Sequence, residues 1–464
     1  MRYNRLFLTA ALSMLVAAAS AQTLSSAYFT QDYKYRHDMN PALGNDQNYI
    51  SIPVLGNLSI QTQGNFGIGD VLFQNPATGR YDRTFMHPDV SIADALGGLN
   101  SDKNKLIGDI GITLLSAGFK GFGGYNTVEI SSKTQLGVSL PYDLFRFAKN
   151  LNNDIYDIGD IDVRAQSYVE LAFGHSRQIG DDLRVGAKVK LLFGAARADV
   201  SLKDVRAEMP AGADKWIVSG NAQADVMMKG FMFKSGSKDY ELRSGSYDYV
   251  NDVDVDGAGL GGFGLGLDLG ATYKVMDGLT VSAALTDLGF ISWSNDVQAV
   301  NRGTSFEFEG FQDISVNEDR NPNTFKKTNK TYSDQIADFI HLKDEGDQGS
   351  VTKGLAATVR LGAEYQLPMY DKLSFGLLLQ QSINGPFSLT EGRLSANWVP
   401  LKWLDGGVNV AVNNYAASTG WVLNIHPKAI NFFVGMDHIL GTQTKEGIPL
   451  SSNASVNFGM NVAF

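Results

Sequence analysis

The sequence predicts an all-β fold, a transmembrane antiparallel β-barrel of about fourteen strands. Three observations lead to this prediction: long segments of period-two alternation, tight polar turns between them, and connections whose length depends on strand parity. The composition agrees, because glycine makes up 50 of 464 residues, aromatic residues 11% and charged residues only 19%. Low charge together with many aromatic residues excludes a disordered chain.

The alternation is clearest at the C-terminus, where apolar side chains occupy every second position of residues 456–464. Successive side chains of a strand point to opposite faces, so this segment has one apolar face and one polar or small face. Residues 183–193, 265–275 and 355–367 repeat the pattern with charged residues in mid-strand on the second face. These segments reach the length of about 9–11 residues that crosses a bilayer, whereas soluble strands average about 5–6.

Connection lengths give the strongest evidence for the barrel. Those after even-numbered strands are short, whereas the long ones, residues 63–109, 141–162, 200–258 and 295–353, all follow odd-numbered strands. Bacterial barrels have short periplasmic turns and long outer loops, and a soluble sandwich has no reason to sort its loops in this way. The predicted strands are 50–62, 110–119, 124–140, 163–179, 183–199, 259–275, 279–294, 354–367, 372–384, 387–399, 405–417, 419–426, 429–441 and 451–464.

The N-terminus predicts export through a cleaved signal peptide, residues 1–21. Arg2 and Arg5 form a basic start, residues 6–19 are apolar, and Ala-Ser-Ala at 19–21 is a cleavage site. The remaining chain has no apolar stretch of about 18–20 residues, so we expect no membrane-spanning helix. We therefore place the barrel, residues 50–464, in the lipid of a Gram-negative outer membrane.

Composition and motifs also exclude several classes of function. The chain has no cysteine, which excludes disulfides, thiolate metal sites and cysteine nucleophiles. A net charge of −10 argues against nucleic acid as a partner, because phosphate binding needs a basic surface. Neither a nucleophile elbow nor a Walker loop is present, so we expect no enzyme activity and no cofactor.

Two short motifs and the strand count carry a resemblance to a known group. The chain resembles FadL-type outer-membrane barrels and their PorV-like relatives, and especially an uncharacterised family of unknown function. The motifs are Asn40-Pro41-Ala42, near the expected mature N-terminus, and the C-terminal segment that ends in Phe464. The resemblance implies an N-terminal plug and passive transport. It also implies that the chain is handed to the barrel-assembly machinery, since its terminal aromatic residue is typical of such chains.

The physics of barrels supports a plug independently. Eight strands are filled by their own side chains and 16–18 leave an aqueous channel, so about fourteen leave a lumen too wide for side chains alone. Residues 22–49 precede the first strand and can fill it. Asn40, Pro41 and Ala42 then lie in this plug; the alternative is a simple turn before the first strand.

Two further features of the sequence suggest sites. Pro53 and Gly56 lie within the first predicted strand, where proline cannot donate to the ladder, so they are candidates for a kink in the wall. Asp252, Asp254 and Asp256, followed by a glycine, match the opening of a calcium loop. The position of the bidentate glutamate is a phenylalanine, and a plain acidic loop is the alternative.

The sequence leaves two main functions open. One is passive passage of a hydrophobic or amphipathic small molecule across the outer membrane, as the resemblance implies. The other is a non-transporting accessory or structural subunit of a secretion or surface-assembly system, which the two loops of roughly sixty residues favour. A wall break beside an internal pocket would favour transport, and a stable protein partner would favour the accessory role.

Overall fold

The computed structural model describes residues 23–150, 152, 154–257, 259–301, 303–309, 325–439, 441, 443–444 and 449–464. The predicted signal peptide lies outside these residues. The strands are β1 Tyr49–Ser51, β2 Leu58–Gly64, β3 Leu72–Gln74, β4 Tyr81–Thr84, β5 Lys103–Gly121, β6 Gly124–Pro141, β7 Ile155–Ile179, β8 Leu183–Glu208, β9 Trp216–Met228, β10 Phe231–Asp239, β11 Ser246–Val255, β12 Gly262–Met276, β13 Leu279–Trp293, β14 Val297–Asn301, β15 Ser305–Phe308, β16 Leu342–Asp347, β17 Val351–Gly354, β18 Ala357–Gln366, β19 Leu373–Ile383, β20 Leu389–Leu401, β21 Leu404–Asn413, β22 Ala417–Ile425, β23 Ile430–Met436 and β24 Ala454–Ala463.

Helices are few and short in the described part of the chain. None of them is long and apolar enough to cross a membrane. The α-helices are α1 Ile92–Gly97, α2 Tyr142–Lys149 and α3 Phe325–Ile340, and 3-10 turns span Ser25–Ala27, Arg36–Asp38, Ile68–Asp70 and Gly385–Phe387.

The main sheet closes into an antiparallel barrel of 14 wall positions, which confirms the predicted fold class. Closure is made by β24, which pairs with both β1 and β2 on one side and with β23 on the other. In order round the wall, the positions are β1 with β2, then β5, β6, β7, β8, β12, β13, β18, β19, β20, β21, β22, β23 and β24.

The two faces of the wall follow the predicted alternation. In β24, Asn457 and Asn461 are fully buried toward the lumen, whereas Val462 and Phe464 point outward and are 40% and 72% exposed. The same alternation separates outward Leu from inward charged residues in β8, β12 and β18. Because the inward groups are polar, the interior is held together by hydrogen bonds and ion pairs as well as by apolar contacts.

The barrel wall is far taller on one side than on the other. β7 and β8 are 25 and 26 residues long, and the upper half of β8 pairs with β9. β9 in turn pairs with β14 and β15, and β14 pairs with β16. Residues 200–258 and 295–353, predicted as outer loops, therefore contain ordered strands. Their apolar alternation covers only a few residues in each strand, as with Tyr247 and Tyr249 in β11, so it is too short to be recognised in the sequence.

Residues 23–48 lie inside the lumen. Their aromatic side chains form an apolar cluster with inward residues of three wall strands, namely Leu378, Val422 and Phe433. Tyr33 and Phe433 meet edge to face, with ring centroids 4.8 Å apart. We call residues 23–48 the N-terminal segment. A segment of chain thus occupies the space that the side chains of fourteen strands cannot fill.

Gly459 marks one of the tightest contacts between the wall and its surroundings. A Cβ atom there would lie 2.0 Å from the carbonyl oxygen of Gly56 and 2.6 Å from the ring of Phe433. Gly459→Ala should therefore lower the free energy of unfolding by about 1–3 kcal/mol. The measurement is urea unfolding in detergent micelles. Gly108→Ala is the control, because its Cβ would lie 3.7 Å from Leu136, an ordinary contact. Equal effects of the two substitutions would contradict this account.

Candidate functional site

The N-terminal segment packs against β8 and β12 through Asn40, Pro41 and Ala42. The Asn40 side chain accepts a hydrogen bond from the Ala42 N–H at 2.9 Å and its amide donates to the Tyr28 hydroxyl at 3.2 Å. Glycines on the wall make room for this turn, because a Cβ at Gly270 would lie 2.0 Å from Asn40 Oδ1. Asn40-Pro41-Ala42 thus forms a turn before the first strand, as the alternative interpretation expected. This turn lies within the lumen.

A buried lysine of the wall holds the next part of the N-terminal segment. Lys188 Nζ lies 2.5 Å from Asp38 Oδ1 and 3.0 Å from His37 Nδ1. The other ring nitrogen of His37 lies 2.8 Å from the Tyr49 hydroxyl. The Glu129 carboxylate is also close to His37 and Asp38. The ammonium of Lys188 thus already contacts two of the three side chains, His37 and Asp38, that could otherwise hold a metal ion.

A second group of charges spans the inner wall. Lys190 Nζ, on β8, lies 2.8 Å from Asp268 Oδ2 on β12 and 2.7 Å from Asp287 Oδ1 on β13. Lys133 Nζ, on β6, lies 3.0 Å from Glu170 Oε2 on β7. These ion pairs link five adjacent positions of the wall; Lys190, Asp268 and Glu170 are buried, whereas the Asp287 side chain is 26% exposed. The alternation predicted Lys190 and Asp268 as inward charges that could form ion pairs, but it did not point to Lys133, Glu170 or Asp287.

An internal cavity of about 90 Å³ lies between the N-terminal segment and the outer end of the barrel. Its lining combines charges of both signs with a smaller apolar part. The charged side chains are Asp38, Asp109, Glu129, Lys133, Arg164, Glu170, Lys190, Asp287 and Arg360, and the apolar residues are Ile107, Leu136, Ala356, Phe387 and Leu389.

The loop between β19 and β20 closes the outer side of this cavity. Its Phe387 is 3% exposed and reaches across the lumen to β6, where a Cβ at Gly137 would lie 2.8 Å from the ring. The guanidinium of Arg164 on β7 lies 5.4 Å from the ring centroid. Lys105 on β5 donates to the carbonyl of Pro386 at 2.7 Å. We call residues 384–388 the lid loop.

Pro53 and Gly56 lie in an interruption of the first wall strand, between β1 and β2. Ser51 pairs with Asn461 and Leu58 with Phe458, so seven steps along this strand face only three along β24. Four residues are therefore extra: Pro53, Val54 and Leu55 are exposed, whereas Gly56 is buried near the hydroxyl of Tyr35 in the N-terminal segment. We call residues 52–57 the wall bulge. At its tip Val54 is 51% exposed and has a φ of 67°, an unusual conformation for a β-branched residue.

The inner side of the wall bulge reaches the cavity. Asn57 and Thr113 both line it, and the Thr113 N–H donates to the Asn57 carbonyl at 2.9 Å. The Asn57 side-chain oxygen is buried without a hydrogen-bond partner among the described residues. The wall bulge is thus an interruption of the regular wall that borders the cavity.

We call the taller side of the barrel, formed by β7, β8, β9 and β14–β16, the raised wall. It carries an outer module, made of the β10–β11 hairpin and α3. Asp334 of α3 accepts hydrogen bonds from the N–H groups of Glu241, Leu242 and Arg243, at 2.6, 3.0 and 3.2 Å. Burial acts to raise the pKa of Asp334, but these three bonds outweigh it and hold the pKa below its ordinary value.

Asp252, Asp254 and Asp256 do not form a calcium loop. The first two lie in β11 and the third directly after it, so they are spread along extended chain, about 6.6 Å or more apart in steps of two residues. Asp254 is 2.8 Å from Lys234 of the paired strand. The sequence pattern belongs to one face of a hairpin, and its carboxylates do not converge on one point.

The fold defines a class: a closed fourteen-strand β-barrel whose lumen is filled by its own N-terminal segment. Within that class, the model of the family described as "Family of unknown function (DUF5723)" matches residues 41–437. The chain belongs to this family, which confirms the predicted relationship to an uncharacterised group. No curated protein matches the chain.

Among solved structures, the chain is similar to several outer-membrane transport proteins at 10% identity. The Ralstonia pickettii toluene transporter TbuX gives a TM-score of 0.43 over 96% of this chain and 95% of that chain. The Pseudomonas putida toluene transporter TodX gives 0.41 over 96% and 94%, and a Pseudomonas aeruginosa FadL homologue gives 0.41 over 96% and 98%. At these values the likeness carries no argument about substrate.

The charged group on the inner wall should be decisive for stability. Lys190→Met would leave Asp268, which is fully buried, without its cation, and removing one partner of a buried pair costs about 3–5 kcal/mol. Lys274→Met is the matched control, since its ion pair with Asp277 is exposed and screened by solvent, so its loss should have little effect. Urea unfolding in micelles measures both variants. A small effect of Lys190→Met would show that the interior is wet enough to solvate Asp268.

The outer module should depend on Asp334. Asp334→Asn removes a charged acceptor of three N–H bonds, a loss of about 1.5–3 kcal/mol, so trypsin should cut after Arg243 roughly tenfold faster or more. Because the pKa of Asp334 is lowered, the contact is present at neutral pH and is lost as the pH falls through that pKa. Asp239→Asn, an exposed position nearby, is the control. Unchanged cleavage would mean that the β10–β11 turn is held by other contacts.

Proposed function

We propose that this protein is an outer-membrane channel for a small amphipathic molecule, and that the structure describes its closed conformation. The observation that carries the proposal is the wall bulge, which lies directly beside the internal cavity. Such an arrangement gives a ligand a short path between the lumen and the outside of the barrel. A barrel with a purely structural role has no need of an interrupted wall strand next to a cavity.

The outer surface of the barrel supports a place in a membrane. Outward side chains of the wall strands are mostly apolar, and closure leaves no sheet edge within the band that lipid would cover. Short turns lie at the end of the barrel that carries the C-terminus, and the long connections lie at the other end. This matches the periplasmic and outer ends of bacterial outer-membrane barrels.

The cavity lining supports an amphipathic ligand over a purely apolar one. Charged side chains of both signs outnumber apolar residues in the lining, and an apolar molecule would strip them of water without replacing it. A polar or charged head group can replace that water by hydrogen bonds. The apolar part of such a ligand can contact Phe387 and Leu389 of the lining, and then the apolar tip of the wall bulge.

Passage of a ligand through the barrel involves three elements, of which some must move and one stays in place. The N-terminal segment blocks the inner end, with side chains that are buried almost completely. The lid loop covers the outer end of the cavity and is held by a few contacts to β5, β6 and β7, among them two from Arg164, to Asn384 and to the ring of Phe387. The wall bulge lies to the side. We infer that the lid loop and the wall bulge move and that the N-terminal segment stays, because its contacts are far more numerous.

Removal of residues 53–56 tests the channel. The deletion takes out the four extra residues and preserves alternation, so that Ile52 stays outward and Asn57 stays inward. Uptake of radiolabelled tracers into proteoliposomes should fall to the level of protein-free vesicles, because the wall is then continuous. Suitable tracers are a short-chain carboxylate, an alkylammonium ion and a neutral aromatic alcohol. Heat-modifiable gel mobility shows that the barrel has folded.

The control is a deletion of equal length, residues 241–244, at the tip of the β10–β11 hairpin. It leaves the cavity, the lid loop and the wall bulge unchanged, so uptake should equal that of the wild type. Undiminished uptake after removal of residues 53–56 would contradict the proposed path. An absence of uptake by the wild type for all three tracers would contradict the channel itself.

A second candidate function is that of an accessory or structural subunit in a secretion or surface-assembly system. The raised wall and the outer module favour it, because transport through the barrel does not need them. In this case a protein partner should co-purify in fixed stoichiometry from the native membrane. The 241–244 deletion should release that partner, whereas the 53–56 deletion should not.

A further inference from the structure

A cluster of three side chains joins the N-terminal segment to the wall at the end of the barrel with the short turns. Asp32 belongs to the N-terminal segment, Asp405 to the start of β21, and His426 directly follows β22. One atom from each of these side chains lies within 4.8 Å of the others. The three residues are far apart in sequence, and the fold alone brings them together.

The spacing of these atoms fits a tetrahedral metal ion. His426 Nε2 lies 3.2 Å from Asp405 Oδ1 and 3.6 Å from Asp32 Oδ2. Ligands at about 2.0–2.1 Å from a tetrahedral Zn²⁺ ion are about 3.3 Å from one another. The observed separations bracket this value. One imidazole and two carboxylates leave a fourth position for water or another donor.

His426 supplies an independent sign of a missing ligand. Its side chain is 6% exposed, and its Nε2 atom has no hydrogen bond to any of the described residues. This nitrogen points between the two carboxylates without making a well-aligned bond to either. A buried polar atom left in this way is costly unless something binds it. The lone pair of a neutral imidazole is the usual donor to zinc.

The surroundings are built like the outer shell of a metal site. Asn424 donates to Asp405 Oδ1 at 2.7 Å and accepts in turn from Asn431 at 2.8 Å. Such hydrogen bonds fix the orientation of a ligating carboxylate. Asp32 is 35% exposed, which gives an ion access from the adjacent solvent. Lys34 is the nearby cation, but its ammonium is 3.9 Å from Asp32 Oδ1 and leaves the pair of carboxylates unbalanced.

We propose that Asp32, Asp405 and His426 bind one divalent transition-metal ion of the zinc class. The ion fastens the N-terminal segment to β21 and to the turn after β22, and so to the floor of the barrel. Its donor set of nitrogen and oxygen suits zinc better than calcium, which takes oxygen ligands. The proposal does not rest on the proposed function, since a metal-fastened segment suits a channel and a structural barrel equally.

The test is titration calorimetry with Zn²⁺ alone, on full-length protein in detergent micelles after removal of metals with a chelator. Millimolar Mg²⁺ in the buffer suppresses weak binding to surface carboxylates. We expect one equivalent of zinc for the wild type and at least about tenfold weaker binding for Asp405→Asn and for His426→Gln. Asp277→Asn, a carboxylate in another short turn, is the matched control and should bind as the wild type does. The chain has no cysteine, so thiolates cannot account for any binding.

Two further readouts protect the result against misfolded variants. Co²⁺ bound to the wild type should give visible absorption bands typical of nitrogen and oxygen ligands, and Zn²⁺ should abolish them. Zinc should also raise the temperature at which the wild type loses its folded gel mobility, and should not do so for His426→Gln. Binding that is absent, or equal in all four proteins, would overturn the proposal.

Discussion

The width of a fourteen-strand barrel is the constraint on which the rest of this structure depends. A wall of this size encloses more space than its own side chains fill, and an empty polar lumen would be an open pore. The chain meets this constraint with its N-terminal segment. Glycines on the wall let the segment approach, and inward asparagine, lysine and aspartate side chains supply the bonds that keep it there.

Filling the lumen with chain has an electrostatic consequence. A folded segment in the lumen excludes most of the water that would otherwise solvate the inner face, so the charges of that face must pair with one another. Lys188 pairs with Asp38 of the segment, whereas Lys190 pairs with carboxylates of neighbouring strands. The inner wall and the N-terminal segment thus form one network of ion pairs, and the cavity is the space that this network does not fill.

The sequence predicted the wall well and the interior poorly, for a physical reason. Lipid-facing strands must alternate, so β24 and β18 were recognisable from the residue pattern alone, and so was the count of fourteen. The strands above the membrane band were missed because no lipid requires a continuous apolar face there, and their apolar alternation covers only short stretches. The partners of Asp32 were missed as well, since Asp405 and His426 meet it only through the closure of the barrel. Pro53 and Gly56 were singled out as kink candidates because proline cannot donate to a ladder.

The unequal height of the wall makes the outer mouth directional. A strand of 26 residues extends to about 85 Å at 3.3 Å per residue, several times the thickness of the apolar band, whereas β21 and β22 are 10 and 9 residues long. A molecule moving along the cell surface therefore meets long strands on one side of the barrel and short strands on the other. The wall bulge, at the first position, lies midway between the two sides, three positions from β7 and three from β22.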